Sequence, residues 1–407
     1  MRTNRIQTAI LLLSMFTAAA ASGCAAGAGD AEEGAGTDGE GALVGEASQA
    51  LTLCSDGIYS PSELCYSGPV QVLDVPNSGD AIAVGRLDAG TALDFVVASA
   101  LGDQIRIKIG NGSGGFPSAF QYTMGNGPTD VAIGDFNGDG LKDILATVTH
   151  EDRVRVRWGG GSPRWGSFSS FAVGDSPLKA AVGDLNGDGR DDVVSANGAN
   201  NYTVRLGAAG GLGAPQGYAS SGFNINLRLA DCDADGDLDL LYADGMDTDL
   251  TFKARKNNGA GAFGVPIALN LGVGSSGFAH SLTVGDWNED GIQDVVVALS
   301  EHKMVRLLGA GGCTFGSKAT AATGFNPVEI ESADMNLDGN RDLVIAHHST
   351  AEISIYLGHG NGNFSPPEVI ATPDAVLDLG VGDFNSDGLP DIVFSGWSGA
   401  YLVASDP

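Results

Sequence analysis

Oxygen-bearing side chains recur along this chain at alternate positions of a nine-residue string. Residues Asp135 to Asp143 read DFNGDGLKD, and close copies begin at Asp184, Asp231, Asp286, Asp334 and Asp383. Side-chain oxygens at positions 1, 3, 5 and 9, with a backbone carbonyl at 7, can wrap a hard cation such as calcium, which takes about six to eight oxygen ligands. The first of these copies offers Asp135, Asn137, Asp139, the carbonyl of Leu141, and Asp143, with Gly140 permitting the sharp turn at position 6. The next offers Asp184, Asn186, Asp188, the carbonyl of Arg190, and Asp192; the third Asp231, Asp233, Asp235, the carbonyl of Asp237, and Asp239. Asp286, Asn288, Asp290, Ile292 and Asp294 follow, then Asp334, Asn336, Asp338, Asn340 and Asp342, then Asp383, Asn385, Asp387, Leu389 and Asp391. One such string alone is equally an acidic turn. Six in register point to Ca2+, about six ions in all, rather than to magnesium, which retains more of its waters. Carboxylates crowded in an empty loop repel, so ion binding and loop order should be coupled.

No Glu stands at position 12 and a β-rich run follows each string, which excludes an EF-hand. The residues just before the strings are Gly134, Gly183, Ala230, Gly285, Ala333 and Gly382, and Gly85 extends the series, with spacings of 49, 49, 47, 55, 48 and 49. There are thus seven units. The first, Arg86 to Asp94, keeps the length but has Arg86 and Gly90 where carboxylates belong, so it should hold no ion. Each unit reads as four short strands separated by Gly-rich turns. The third shows it: Ala180–Val182, Asp192–Val194, Thr203–Leu206 and Pro215–Ala219. Helical periodicity is absent. Such a period predicts an all-β, seven-bladed β-propeller of four-stranded antiparallel blades. The last unit lacks an outer strand, and Val70–Val75 ahead of the first can supply it, closing the ring and removing open edges.

Composition agrees: 62 glycines among 407 residues and only 17% charged residues suit short strands and tight turns. The formal charge of -29 argues against nucleic acid or an anionic membrane surface as partner. Much of that charge belongs to the nine-residue strings, so bound calcium would offset part of it.

Residues 1–23 read as a targeting segment, with Arg2 and Arg5 before the apolar run Ala9–Ala20, which is too short to span a bilayer as a permanent helix. Ala21-Ser22-Gly23-Cys24 resembles a bacterial lipobox, which implies lipidation of Cys24 and a cell-surface or outer-membrane lipoprotein. Secretion or a periplasmic location is the alternative. Residues 24–53 are Gly-, Ala- and acid-rich and read as a flexible tether. Cys54 and Cys65 are expected to pair and staple a joint over 54–68, ahead of the propeller at 69–407. Cys232 stands where the sister units carry Phe136, Leu185, Trp287, Met335 and Phe384, and is expected to be a small core hydrophobe without a bridge to Cys313.

The loops, with Leu212-Gly213-Ala214-Pro215 and Phe263-Gly264-Val265-Pro266 at the start of rim strands, resemble the FG-GAP or VCBS-type repeat of integrin α-chain propellers and many bacterial surface proteins. Other units keep the aromatic as Phe116, Trp165, Phe315 and Phe364 but not the full tetrapeptide. The resemblance implies a calcium-binding propeller serving adhesion or protein interaction.

If the acidic loops join strands one and two, loops two-to-three and four-to-one share the opposite face. That face collects His150, Asn200, Asp247, His280, His302, His347, His348 and Trp397, five of the six histidines among them. It is the expected ligand face. No Ser-His-Asp spacing, HExxH or P-loop is visible, so a non-enzymatic module, monomeric, binding a surface protein or a glycan is favoured. A lectin-like propeller is one alternative, and a polysaccharide lyase or dehydratase using His347 or His348 is another.

Overall fold

The second strand of every repeat is a near-continuous apolar run that begins with the position-9 aspartate: DFVVAS, DILATV, DVVSAN, DLLYAD, DVVVAL, DLVIAH and DIVFSG. A strand apolar on both faces needs cover on both. In the computed structural model all six residues of each of these strands are buried, because each lies inside its own sheet and between two neighbouring sheets. The outer strands instead alternate, as in Ser118–Thr123, where one face meets solvent. The structure describes residues 49–50, 64–75, 79–160, 165–220, 226–244, 250–273 and 278–405, all within the unit Ala42–Pro407.

Seven four-stranded antiparallel sheets follow one another as blades 1 to 7. Their innermost strands are Ala81–Gly85, Pro128–Gly134, Pro177–Gly183, Arg228–Ala230, Ala279–Gly285, Pro327–Ala333 and Val376–Gly382. Each packs against the next, and Val376–Gly382 returns to Ala81–Gly85, so the ring closes. Val70–Asp74 pairs antiparallel with Gly399–Val403 and becomes the outer strand of blade 7, as the sequence predicts. Gln49–Ala50 adds a parallel pairing to the outer edge of blade 6 at Glu368 and Val369.

The core is not one mass. Seven hydrophobic clusters form among the described residues, one at each interface between consecutive blades. Each contains the residue at position 2 of the preceding blade's loop, from Leu87 through Phe384. The repeat aromatic of the following blade packs onto the same cluster: Phe116 lies 5.8 Å from Phe384, and Phe364 6.4 Å from Trp287, both edge-on. The sequence-level aromatic is therefore an interblade wedge.

Candidate metal centre and ligand face

The position-9 carboxylates are buried and do the same work in every blade. Asp143 accepts the N–H of Phe136 (3.1 Å) at the loop and that of Gly159 (2.7 Å) beyond the third strand. Asp192, Asp239, Asp294, Asp342 and Asp391 repeat this pair of bonds onto Leu185 and Gly207, Cys232 and Asn257, Trp287 and Gly309, Met335 and Gly358, and Phe384 and Ser405. Asp94 of blade 1 makes it too, although Arg86 and Gly90 stand where its loop should have carboxylates at positions 1 and 5. Burial pushes Asp143, Asp192, Asp239 and Asp294 up to about 6 and Asp342 to about 7, against the pull of the backbone donors and with the neighbouring loop carboxylates adding to the rise.

Position-1 carboxylates organise the turn itself. Asp135 accepts from Gly138, Asp139 and Gly140, and Asp184, Asp231, Asp286, Asp334 and Asp383 each accept from the position-6 glycine at 2.8–3.0 Å. Gly140, Gly189, Gly236, Gly291, Gly339 and Gly388 all have positive φ, as the sharp turn requires. Five loops carry Asn at position 3, whose amide donates to the position-5 aspartate.

Blade 4 differs. Asp231, Asp233 and Asp239 each present an oxygen, and the three lie within 4.8 Å of one another. Asp233 Oδ1 is shielded from water without a hydrogen-bond partner, while its Oδ2 meets Lys256 Nζ at 2.9 Å. An orphaned, buried carboxylate oxygen beside two more carboxylates is a donor set that fits a hard divalent cation.

Blade 4 also corrects the reading of its cysteines. Cys232 and Cys313 are joined by a disulfide, across the interface between blades 4 and 5. Four residues stand two places before a repeat aromatic and donate their N–H to the position-2 carbonyl of the preceding blade: Gly114 to Phe384, Gly261 to Leu185, Cys313 to Cys232 and Gly362 to Trp287. All four have positive φ, and Cys313 is the one that is not glycine. Position-2 side chain and hairpin residue therefore face each other at the latch. The signal was in the sequence, since Cys232 replaces a wedge-contacting hydrophobe and Cys313 a latch glycine, but only the repeat alignment joined to the ring closure brings the two together. Cys65 is also disulfide-bonded. Its expected partner Cys54, the expected lipidation site Cys24, and Asp247 lie outside the described residues.

Around the axis the fold gathers charges that sequence reasoning missed. Asp130, Lys179, Glu329 and Asp378 occupy the same position of their inner strands, four residues before Gly134, Gly183, Ala333 and Gly382. Lys179 Nζ lies 3.5 Å from Asp130, 3.4 Å from Glu329 and 3.5 Å from Asp378. Arg228 meets Glu329 and Glu331, both at 2.9 Å. Burial pushes Asp378 up to about 7 despite Lys179, whereas Lys179 and Arg228 outweigh burial at Glu329 and hold it below the usual range.

On the opposite face the histidines divide. His347 is fully buried, with Nε2 3.0 Å from Ser354 Oγ, so it does not face a ligand. His280 belongs to the inner strand of blade 5 rather than to a connecting loop, and burial pushes it down to about 4, with His348 adding to the fall. The ring of His302 lies 4.0 Å from that of Phe325, and its Nδ1 accepts the N–H of Asn326 at 2.9 Å. Asp103 and Asp152 make the equivalent bond to Gly127 and Ser176 in blades 1 and 2, so His302 caps the next loop as they do. His348 meets Trp397 edge-on at 5.9 Å. His150 is exposed in the 3-10 turn Thr149–Glu151, and Asn200 is exposed at a left-handed turn position. Phe325, absent from the sequence-derived set, is 58% exposed beside His302.

No curated protein matches the chain. Among solved structures it is similar to BBS1N in complex with ARL6DN, soaked with lead, at TM-score 0.60 and 11% identity over 86% of this chain and 98% of that one. The mercury-soaked form of the same complex gives TM-score 0.58 and 12% identity, covering 84% and 96%. Such identities show the fold alone. The FG-GAP-like repeat matches five stretches, residues 87–146, 135–195, 184–242, 231–297 and 334–394, with the ends of the first four overlapping at the acidic loops. Together with the closed ring of seven blades, those matches mean that the chain belongs to the FG-GAP-like repeat family.

Proposed function

We propose that this protein is a calcium-stabilised, non-enzymatic interaction module that binds a protein partner through the face opposite its acidic loops. The observation that carries the reading is the paired aromatic surface of blades 5 to 7, where Phe325 stands exposed against His302 and Trp397 lies against His348. Large rings with one polar edge are favoured contact residues in protein interfaces. Two solved structures similar in fold are of BBS1N in complex with ARL6DN, which agrees with this use of the scaffold. Calcium at the six acidic loops would hold the opposite face. Export and attachment through a lipid on Cys24 would place the module at the cell surface, where adhesion is the natural role.

The test is capture of surface proteins by the full chain and by a Phe325→Ala/Trp397→Ala variant of unchanged melting temperature. Saturable binding of an identified protein, weakened at least tenfold in the variant, is the expected result. Binding unaffected by the variant, or a signal confined to a glycan array, overturns the reading in favour of another face or of the lectin alternative. Metabolic labelling with a fatty acid, lost in Cys24→Ser, tests the anchor.

A further inference from the structure

We propose that the Cys232–Cys313 disulfide gates cation binding at blade 4, making it a redox-linked site unlike the other five. The inference rests on the calcium reading of the acidic loops and adds to it a chemical control found in one blade.

Three observations converge. Both sulfurs lie 3.1 Å from Oδ2 of Asp239, the position-9 ligand, and both are buried. That oxygen also accepts the Cys232 N–H, so the carboxylate shared with Asp231 and Asp233 lies directly against the bridge. Next, Cys313 holds φ 59°, where three sister latches have glycine. A side chain there is strained, and the covalent bond retains it. Finally, the short Cys232 makes no ring contact of the kind that Trp287 and Phe384 make with the wedge aromatic in sister blades, and the bridge stands in that place, with Phe315 held edge-on by Phe252.

Reduction by a dithiol breaks the S–S bond and delivers two electrons and two protons, giving two thiols while the dithiol closes to its own disulfide. Neither sister device then remains: no large position-2 side chain, and no glycine at the latch. The bond from Cys313 N–H to the Cys232 carbonyl (3.0 Å) loses its support. The new thiols also turn toward Asp239. Each can donate to Oδ2 of Asp239, drawing on the carboxylate grouped with Asp231 and Asp233.

Linkage makes the effect reciprocal. If the disulfide raises calcium affinity by some factor, calcium must shift the dithiol–disulfide equilibrium toward the disulfide by the same factor. The experiment uses the full chain, native mass spectrometry to count bound calcium, and a dithiol–disulfide redox buffer read by thiol labelling with and without calcium. The oxidised protein should carry one more ion than the reduced protein at equal free calcium, with roughly tenfold tighter binding of that ion. Calcium should raise the oxidised-to-reduced ratio to match.

Cys232→Phe/Cys313→Gly, which rebuilds the pairing of Phe384 with Gly114, should keep the ion and ignore the reductant. Equal ion counts in oxidised and reduced wild type, or a redox equilibrium indifferent to calcium, overturn the gating proposal alone. No calcium bound by the oxidised chain at millimolar concentration overturns the underlying reading instead.

Discussion

Asp94 accepts the backbone N–H of Leu87 at 2.7 Å and that of Gly110 at 2.8 Å, in the one blade whose acidic loop has degenerated. The last carboxylate of the string therefore has a structural duty that outlives any ion. Its six counterparts have the same two bonds, so in those blades the proposed cation ligand at position 9 is also a residue the fold requires.

Asp94→Ala would leave two N–H groups without their acceptor beneath a closed blade. We expect a loss of about 3 kcal/mol, since hydrogen bonds to charged groups are among the stronger ones and orphaned buried donors are costly. Urea titration should show the same loss in calcium and in chelator. A loss present only with calcium would assign Asp94 to an ion instead.

Chelation should lower stability across the whole ring. With dissociation constants of about 0.1–1 mM, millimolar calcium stabilises each site by roughly 1 kcal/mol, and six sites by several. Calorimetry in calcium and in EDTA should show the melting temperature falling by roughly 5–10 °C. An unchanged melt would remove calcium from the account.

Lys179 is the sole ammonium facing Asp130, Glu329 and Asp378 across the axis among the described residues. Lys179→Met should cost about 3 kcal/mol, because Asp130 and Asp378 lose their ion-pair partner while Arg228 stays on Glu329. Adding Asp378→Asn should recover part of the loss. Additive losses in a denaturant double-mutant cycle would show that the two do not couple.

Burial pushes His347 down to about 4, helped by its neighbour His302 and opposed by the carbonyls of Phe325 and Gly324. The unfolded chain takes up a proton near pH 6.5 and the folded chain only near 4, so stability present above 6.5 is lost as pH falls through about 4. The upper bound is about 3 kcal/mol. Position-9 carboxylates work in the opposite sense in calcium-free protein, but a His347→Gln variant shares them. Stability of the wild type relative to that variant should therefore decline between pH 6.5 and 4, and parallel curves would show that His347 titrates alike in both states.

The repeat alone determined the blade count, the four-strand unit, the closing role of Val70–Asp74 and the positions of the acidic loops. Such features are local or periodic, and a period is written directly in the residues. Tertiary structure decided what meets across blades. Cys232 and Cys313 stand 81 residues apart and are joined because adjacent blades put one repeat's loop against the next repeat's hairpin. Lys179 finds Glu329 and Asp378 only because a closed ring brings distant inner strands to one axis. His347 and His348 are neighbours in sequence, yet strand alternation buries the first and leaves the second beside Trp397. Residue types named the chemistry available, and closure of the ring chose which partners could reach one another.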